Sequence, residues 1–462
     1  MRLAPKRRPV LPKEKTYQAM TNGPVGRQLL RFAMPLFFSM LFQQVYNIAD
    51  TIVAGRFISA SALSAVGIIS SVTWLYLALT NGTGQGCNVV IARIFGSGDR
   101  ARTHTAVTTA LVFQLGLAAC LTAVFLPAHR WVLRVIRTPA SLYEDAATYL
   151  LIYTAALVFQ FLYATANACF QALGDSRLCL YFLIFSSMLN IGLDILFVRA
   201  FSWGVAGIAW ATFLTQGLAA ALSCAVLLSR LRRLMPGEKP PVFDARLLPP
   251  MLRVMIPAVC QQSFVSVGVI LVQGLVNGMG EVSILAYTVG NKISAFAISC
   301  MGTVARSYGT FASQNYGAGK IDRIREGLRA LLKFEACAVT AVAVLYALLG
   351  PAAVRLFVAE DAPPEALTLA AQMLLVLAAG NYALEMKNSF DNALVGCGHM
   401  AEFMVTTFAD LFLRVGLSYL LAGPLGFYAL PLATALGWLL GGVLSVAFYF
   451  RLRRTLPIKE LS

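Results

Sequence analysis

The sequence predicts an all-α polytopic membrane protein whose twelve transmembrane helices form two pseudo-symmetric six-helix lobes. Two observations predict this fold class, the composition and an internal repeat. The chain has 462 residues, of which 58% are hydrophobic and only 13% are charged. A soluble protein of this size needs a larger polar surface, so lipid is the solvent for most of the chain.

Apolar stretches follow one another from Met34 to Phe450. A helix that crosses a bilayer needs about 20 mainly apolar residues. Helices are required because unpaired backbone groups are too costly in lipid, and a β-barrel would show short alternating segments instead. The twelve predicted spans cover roughly 33–55, 62–92, 105–128, 146–170, 178–199, 205–229, 254–278, 283–313, 330–356, 365–395, 402–422 and 428–450.

The basic residues are distributed unevenly between the two sides of the predicted membrane domain. An even number of spans puts both termini on one side, and that side carries most of the Lys and Arg residues. Segments rich in Lys and Arg stay in the cytoplasm, so we expect both termini there. The net charge of +16 is then a topology signal. We therefore expect membrane lipids, and not nucleic acid, as partners of the basic residues.

The chain repeats itself at an offset of about 222 residues. Met34-Pro35 recurs as Ile256-Pro257, and the run Arg93–Arg100 recurs as Gln314–Ile321. Six spans followed by six in the same orientation predict two lobes related by a pseudo-two-fold axis along the membrane normal. Lobes that rock about a central site favour a transporter over a membrane enzyme. The predicted units are an N-terminal segment 1–30, a first lobe 31–229, a linker 230–253, a second lobe 254–450 and a tail 451–462.

Two carboxyl groups of the first lobe, Asp50 and Asp194, lie inside spans without a basic residue one turn away on their own helices. A charge at bilayer depth is costly and needs a partner or a function. The amide and hydroxyl groups of Asn190, Thr212 and Asn167 lie in spans of the same lobe. Such oxygen atoms suit a proton or a hard cation, while hydrogen bonding between helices is the alternative for Thr212 and Asn167.

The second lobe carries charged residues in its later spans. Lys387 with Asp391, and Asp410 with Arg414, are spaced i,i+4 and are expected to neutralise each other. Glu385 has no such partner and is a candidate second proton site. No nucleophile lies beside a base and no cluster has metal-ligand spacing, so we expect no catalytic residues, no metal centre and no cofactor.

Four segments carry a resemblance to a known family: Gln43–Arg56, Leu173–Arg177, Leu189–Asp194 and Gly309–Lys320. Together they resemble prokaryotic transporters of the multidrug and toxic compound extrusion (MATE) family, in the MOP superfamily. The resemblance implies a cavity between the lobes that opens alternately to each side of the bacterial inner (plasma) membrane. It also implies export of cationic, amphipathic drugs or toxic compounds, driven by inward movement of H⁺ or Na⁺. We expect a monomer.

The family's functional positions are carried over onto matching residue types. The cation-coupling site, which would also hold Na⁺, falls on Asp50, Asn190, Asp194 and Thr212. The substrate-lining positions fall on Gln43, Tyr46, Tyr149 and Asn167. The helix-bending proline falls on Pro35. The sequence departs from the subfamily that uses an acid in span seven, because residues 255–277 contain none. The alternative function is that of a lipid-linked saccharide flippase of the same superfamily.

Overall fold

The structure is a computed structural model that describes residues 19–57, 60–234, 240–358 and 362–455. Within these ranges the regular elements are helices, without strands. The α-helices of the described chain are α1 (Val25–Phe57), α2 (Ala60–Gly96), α3 (Arg100–Val135), α4 (Tyr143–Ala155), α5 (Leu157–Ala172), α6 (Ser176–Ile195), α7 (Gly204–Leu234), α8 (Leu248–Asn277), α9 (Glu281–Gly317), α10 (Ile321–Arg355), α11 (Pro364–Cys397), α12 (Met400–Leu425) and α13 (Ala429–Thr455).

Helices α4 and α5 form one bent span, with an angle of 45° between them. The predicted fourth span, 146–170, covers both helices. With α4 and α5 counted as one span, the thirteen α-helices of the described chain form twelve spans. By length and hydropathy, eight helical segments of the described chain qualify as membrane spans, or nine with the bent pair. One of them, Met400–Leu452, contains both α12 and α13. Helices α1 and α2, several of whose side chains lie outside the described part of the chain, are not among these segments.

Short polar turns connect the helices at their ends. Asp99 precedes α3 and accepts a hydrogen bond from the Arg102 amide at 2.9 Å. Asp175 precedes α6 in the same way and is also ion-paired with Arg230 of α7. Both acids satisfy amide groups that the first turn of a helix leaves free. Gly398 ends α11 with φ of +88°, a left-handed conformation that favours glycine.

The two lobes repeat one packing pattern. In the first lobe, α2 packs against α5, α5 against α7, and α6 against α7. The equivalent pairs of the second lobe, α9 with α11, α11 with α13 and α12 with α13, also pack against each other. Between the lobes, α2 crosses α8 and α9 crosses α1, which are again equivalent pairs. A two-fold rotation that exchanges the lobes converts the contact of α2 with α8 into the contact of α9 with α1. The packing therefore agrees with the pseudo-two-fold axis that the repeat predicts.

The lobes meet most closely at the ends of α2 and α9. A Cβ atom added at Gly96 would lie 1.9 Å from the Gln314 carbonyl oxygen, and one added at Gly317 would lie 1.9 Å from the Arg93 carbonyl oxygen. Gly96 aligns with Gly317 in the repeat, and Arg93 aligns with Gln314, so the axis exchanges the two contacts. Glycine is required at both positions because any side chain would separate the backbones.

The segment before α1 seals this end of the molecule. The Met20 amide donates a hydrogen bond to Gln314 Oε1 at 2.7 Å, and Asn315 Nδ2 donates to the Met20 carbonyl at 3.1 Å. Lys320 Nζ donates to the Thr21 carbonyl at 2.9 Å. These bonds and the glycine contacts close the lobes together at the end that carries the N-terminal segment, which the sequence predicts to be cytoplasmic.

Buried charges of the second lobe neutralise one another between helices α11 and α12. Lys387 Nζ lies 2.8 Å from Asp391 Oδ2, as predicted, and 4.0 Å from Asp410 Oδ2. Thr406 and Ser445 donate hydrogen bonds to Asp391 Oδ1 at 2.9 and 2.6 Å. Among the ion pairs of the described residues there is none within 4.0 Å that joins Asp410 to Arg414. Arg414 acts on the Asp410 carboxyl group at longer range, while Lys387 of the neighbouring helix lies 4.0 Å from it, so Asp410 has two positive partners.

The Asp391→Asn substitution is expected to lower the melting temperature of the purified protein and its level in the membrane. It removes the main partner of a buried lysine, a loss that costs about 3–5 kcal/mol in other buried pairs. The control is the double variant Lys387→Met with Asp391→Leu, which removes both charges and is expected to recover most of the stability. An unchanged melting temperature in Asp391→Asn would contradict a structural role for this pair.

Candidate functional site

The first lobe brings together predicted site residues of α1 and α6. The Tyr46 hydroxyl of α1 donates a hydrogen bond to Asn190 Oδ1 of α6. Asn190 and Asp194 are only 4% and 1% exposed. They lie four residues apart, so they share one face of α6. One of the predicted lining residues therefore contacts the predicted coupling site.

The remaining predicted residues of α1 are less completely described. The side chain of Asp50 lies outside the described residues, so its predicted role stays a prediction. The helix itself is described, and residue 50 follows Tyr46 by about one turn. Gln43 Nε2 donates a hydrogen bond to Asn47 Oδ1 of the same helix at 3.1 Å. Pro35 lies inside α1, where its carbonyl accepts a hydrogen bond from the Ser39 hydroxyl at 2.8 Å.

Thr212 and Asn167 lie on the helices next to α6. Thr212 is half-buried on α7, and Asn167 is half-buried on α5. Both helices pack against α6. The thiol of Cys179 on α6 lies 3.6 Å from the Asn167 carbonyl oxygen. The fold thus places these two residues on helices that border the one carrying Asp194, while their predicted roles stay predictions.

Tyr149 belongs to a row of stacked tyrosines that sequence reasoning missed. Its ring centroid lies 5.8 Å from that of Tyr153, which lies 6.4 Å from that of Tyr76. The Tyr76 and Thr154 hydroxyl groups are 3.2 Å apart. The four-residue spacing between Tyr149 and Tyr153 is the signal that could have found the stack. Such aromatic faces attract organic cations, which suits the predicted lining role of Tyr149.

The second lobe contains two buried carboxyl groups. Glu385 of α11 is 1% exposed and accepts a hydrogen bond from Asn388 Nδ2 at 3.4 Å. Glu335 of α10 is 3% exposed and accepts a hydrogen bond from the Ser389 hydroxyl. Sequence reasoning singled out Glu385 but missed Glu335. An acid inside a predicted span, without a basic residue one turn away on its own helix, was the available signal.

Each lobe therefore holds a carboxyl group at depth, next to amide and hydroxyl groups. A buried carboxylate is strongly disfavoured unless it takes up a proton, binds a cation or pairs with other groups. A carboxyl group that changes its charge as the lobes move can couple ion flow to transport, because each ion favours the conformation that binds it more tightly.

Two repeated six-helix lobes with buried carboxyl groups define the class as a membrane transporter. The chain matches the model of the MatE family over residues 35–196 and 257–420. The protein therefore belongs to the MatE family of multidrug and toxic compound extrusion transporters. The two matches begin at residues 35 and 257, which is the offset of the predicted repeat. The predicted family is thus confirmed.

Two similar proteins have names that indicate different cargo. The chain is 24% identical over 432 residues to the probable multidrug resistance protein YpnP of Bacillus subtilis, covering 93% of this chain and 96% of the relative. It is 22% identical over 333 residues to the FAD transporter of Shewanella oneidensis, covering 69% and 72%.

Solved MATE structures share the fold. One is described as the outward-facing conformation of a multidrug resistance MATE family transporter of the MOP superfamily. It aligns with a TM-score of 0.87 at 21% identity, covering 96% of this chain and 99% of the other. The predicted twelve-helix fold in two lobes is thereby confirmed.

Proposed function

We propose that this transporter is a secondary active exporter of cationic, amphipathic compounds, driven by H⁺ or Na⁺ that moves inward by way of Asp50, Asn190, Asp194 and Thr212. The observation that carries the proposal is the buried Asn190–Asp194 face of α6, which Tyr46 of α1 contacts. The relative named as a probable multidrug resistance protein supports the substrate class.

Competition for one charge is the proposed coupling mechanism. Ionised Asp194 attracts an organic cation, and the face of the Tyr149 ring helps to hold it. A proton or Na⁺ that arrives from outside neutralises the carboxylate, and the cargo is released. Cargo and coupling ion then favour opposite conformations of the two lobes, which is the condition for exchange.

An anionic, phosphate-bearing cargo is the second candidate, as in a lipid-linked saccharide flippase. Two observations favour it. One relative is named an FAD transporter. Arg306, in the middle of α9, is exposed and interacts with Glu385 at longer range than a direct ion pair, and guanidinium groups bind phosphate well. The buried Lys387 does not favour it, since Asp391 already neutralises that charge.

Inverted membrane vesicles that contain the protein test both candidates. A pH gradient and a Na⁺ gradient are imposed separately, and ethidium uptake is followed by fluorescence. We expect that one of the two gradients drives ethidium uptake and that other organic cations inhibit it. Gradient-driven uptake of FAD, with no uptake of ethidium, would favour the second candidate.

The orientation is a further part of the proposal. We expect both termini to lie in the cytoplasm of a bacterial cell, because the basic residues concentrate on their side. A phosphatase reporter that works only in the periplasm, fused after Ser462, is expected to be inactive, whereas a fluorescent reporter that works only in the cytoplasm is expected to be active. The opposite result would reverse the topology.

A further inference from the structure

The buried acids Glu335 and Glu385 lie close together between α9, α10 and α11. Ser389, whose hydroxyl binds Glu335, follows Glu385 by one turn of α11, so both carboxyl groups face the same space. Their charges are close enough to repel each other. Within the described chain, neither Glu335 Oε1 nor Glu385 Oε1 has a hydrogen-bond partner. One oxygen atom of each carboxyl group is therefore without a hydrogen bond in the described part of the chain.

A basic group approaches the pair from α9. Arg306 Nη2 donates a hydrogen bond to Thr303 Oγ1 at 2.7 Å. A Cβ atom added at Gly302 would lie 3.6 Å from Arg306 Nη1 and 3.9 Å from Asn388 Nδ2. Asn388 in turn donates to Glu385, and the guanidinium interacts electrostatically with that carboxyl group. Glycine at position 302 leaves the space in which these groups converge.

A buried amide on the same stripe of α11 also lacks partners. Asn381 precedes Glu385 by one turn and is 0% exposed. Within the described residues, neither its Oδ1 nor its Nδ2 takes part in a hydrogen bond. An unsatisfied buried amide costs about 1–3 kcal/mol, and this one lies one helical turn from the partly unsatisfied Glu385 carboxyl group.

The other charged groups nearby are neutralised or exposed. Lys387, on the opposite side of α11, is bound to Asp391 and lies near Asp410. Other charged residues of the surrounding helices include exposed Lys292 on α9, Lys333 on α10, Arg27 and Arg31 on α1, and Arg451 at the end of α13, and half-buried Arg323 and Arg325 on α10 and Arg414 on α12. Arg306 is thus the basic group that the described helices bring towards this pair, with one positive charge for two carboxyl groups.

We propose that Glu335 and Glu385 together hold one proton as a second coupling site in the second lobe, with Arg306 compensating the remaining negative charge. One proton makes the summed charge of the three residues zero, which limits the cost of burying the two carboxyl groups. A proton suits the cluster better than Na⁺, because a metal ion would lie close to a guanidinium. The inference rests on the proposed ion-coupled export and adds a second proton to its stoichiometry.

Counting bound protons tests the inference directly. The purified full-length protein in detergent is titrated between acid and alkaline pH, and its proton uptake is compared with that of single variants. Glu335→Gln and Glu385→Gln are each expected to lose the shared proton, because the remaining carboxylate then pairs with Arg306. Arg306→Gln is expected to gain one proton, because both acids must then be neutral. Circular dichroism and melting curves check that each variant is folded.

The opposite signs of these changes separate the proposal from a structural role of the acids. Glu365→Gln, an exposed acid at the start of the same helix, is the matched control and is expected to leave the shared proton unchanged. Dicyclohexylcarbodiimide, which reacts with protonated buried carboxyl groups, is expected to label Glu335 or Glu385 in the wild type. Unchanged proton uptake in both glutamine variants would overturn the proposal. Release of this proton on addition of NaCl would overturn it in favour of a Na⁺ site.

The measurement also separates this inference from the proposed export function. Asp194→Asn is expected to keep the second-lobe proton even when it exports nothing. If ethidium export fails in the wild type while proton uptake follows the expected pattern, the proposed function is wrong and the second site still stands.

Discussion

Replacing Asp194 by Asn is expected to abolish gradient-driven efflux while the protein remains in the membrane at a near-normal level. Asn has nearly the same shape as Asp and keeps hydrogen-bonding capacity, so the packing of α6 is retained. It cannot change its charge. A ligand shifts a two-state equilibrium only by its difference in affinity for the two conformations. A shift from 1:99 to 99:1 requires binding to the favoured conformation that is about 10⁴-fold tighter. Without that carboxyl group, we expect transport per molecule to fall by roughly tenfold or more.

Efflux per unit of protein in inverted vesicles is the measurement for Asp194→Asn. Asp145→Asn is the matched control, because Asp145 is an exposed acid of the same lobe, in the first turn of α4. It is expected to pump at the wild-type rate. Wild-type efflux in Asp194→Asn would show that the first-lobe coupling site is wrong, and the Glu335–Glu385 pair would become the leading candidate.

The fold was accessible from the sequence because lipid imposes simple rules. Twelve apolar stretches and a repeat with conserved spacing, such as Arg93–Arg100 against Gln314–Ile321, are sufficient to predict two equivalent lobes. The bend between α4 and α5 was not predictable in the same way. No proline or glycine interrupts residues 143–172, so the hydropathy of one continuous span conceals the break.

The candidate site was only partly accessible. Asp194 could be found because an acid inside an apolar span is conspicuous. Its neighbourhood could not, because the contact of Tyr46 with Asn190 joins helices that are 144 residues apart in sequence. The second partner of Asp410 was missed for the same reason. Spacing along one helix favoured Arg414, whereas Lys387 approaches from another helix.

Replacing Gly96 by Val is expected to prevent the lobes from closing at the end that carries the N-terminal segment. The added side chain would meet the Gln314 carbonyl, whose distance to a Cβ atom at this position is 1.9 Å. Overpacking of a close contact costs about 1–3 kcal/mol, which corresponds to roughly a 5–150-fold loss of the closed conformation. A transporter that needs both conformations should lose efflux to a similar degree.

Efflux and the reactivity of a native thiol measure this effect together. Cys397 is buried at the closed end, next to Gly398 and its neighbour Arg93, so it should be protected from a maleimide while the lobes are closed. Gly96→Val is expected to expose it, with labelling followed by mass spectrometry. Gly317→Val should reproduce the effect, because the pseudo-two-fold axis exchanges the two contacts. Gly116→Val on α3, where an added Cβ meets nothing within 4 Å, is the control. If Gly96→Val pumps normally and keeps Cys397 protected, closure of this end does not depend on the glycine contact.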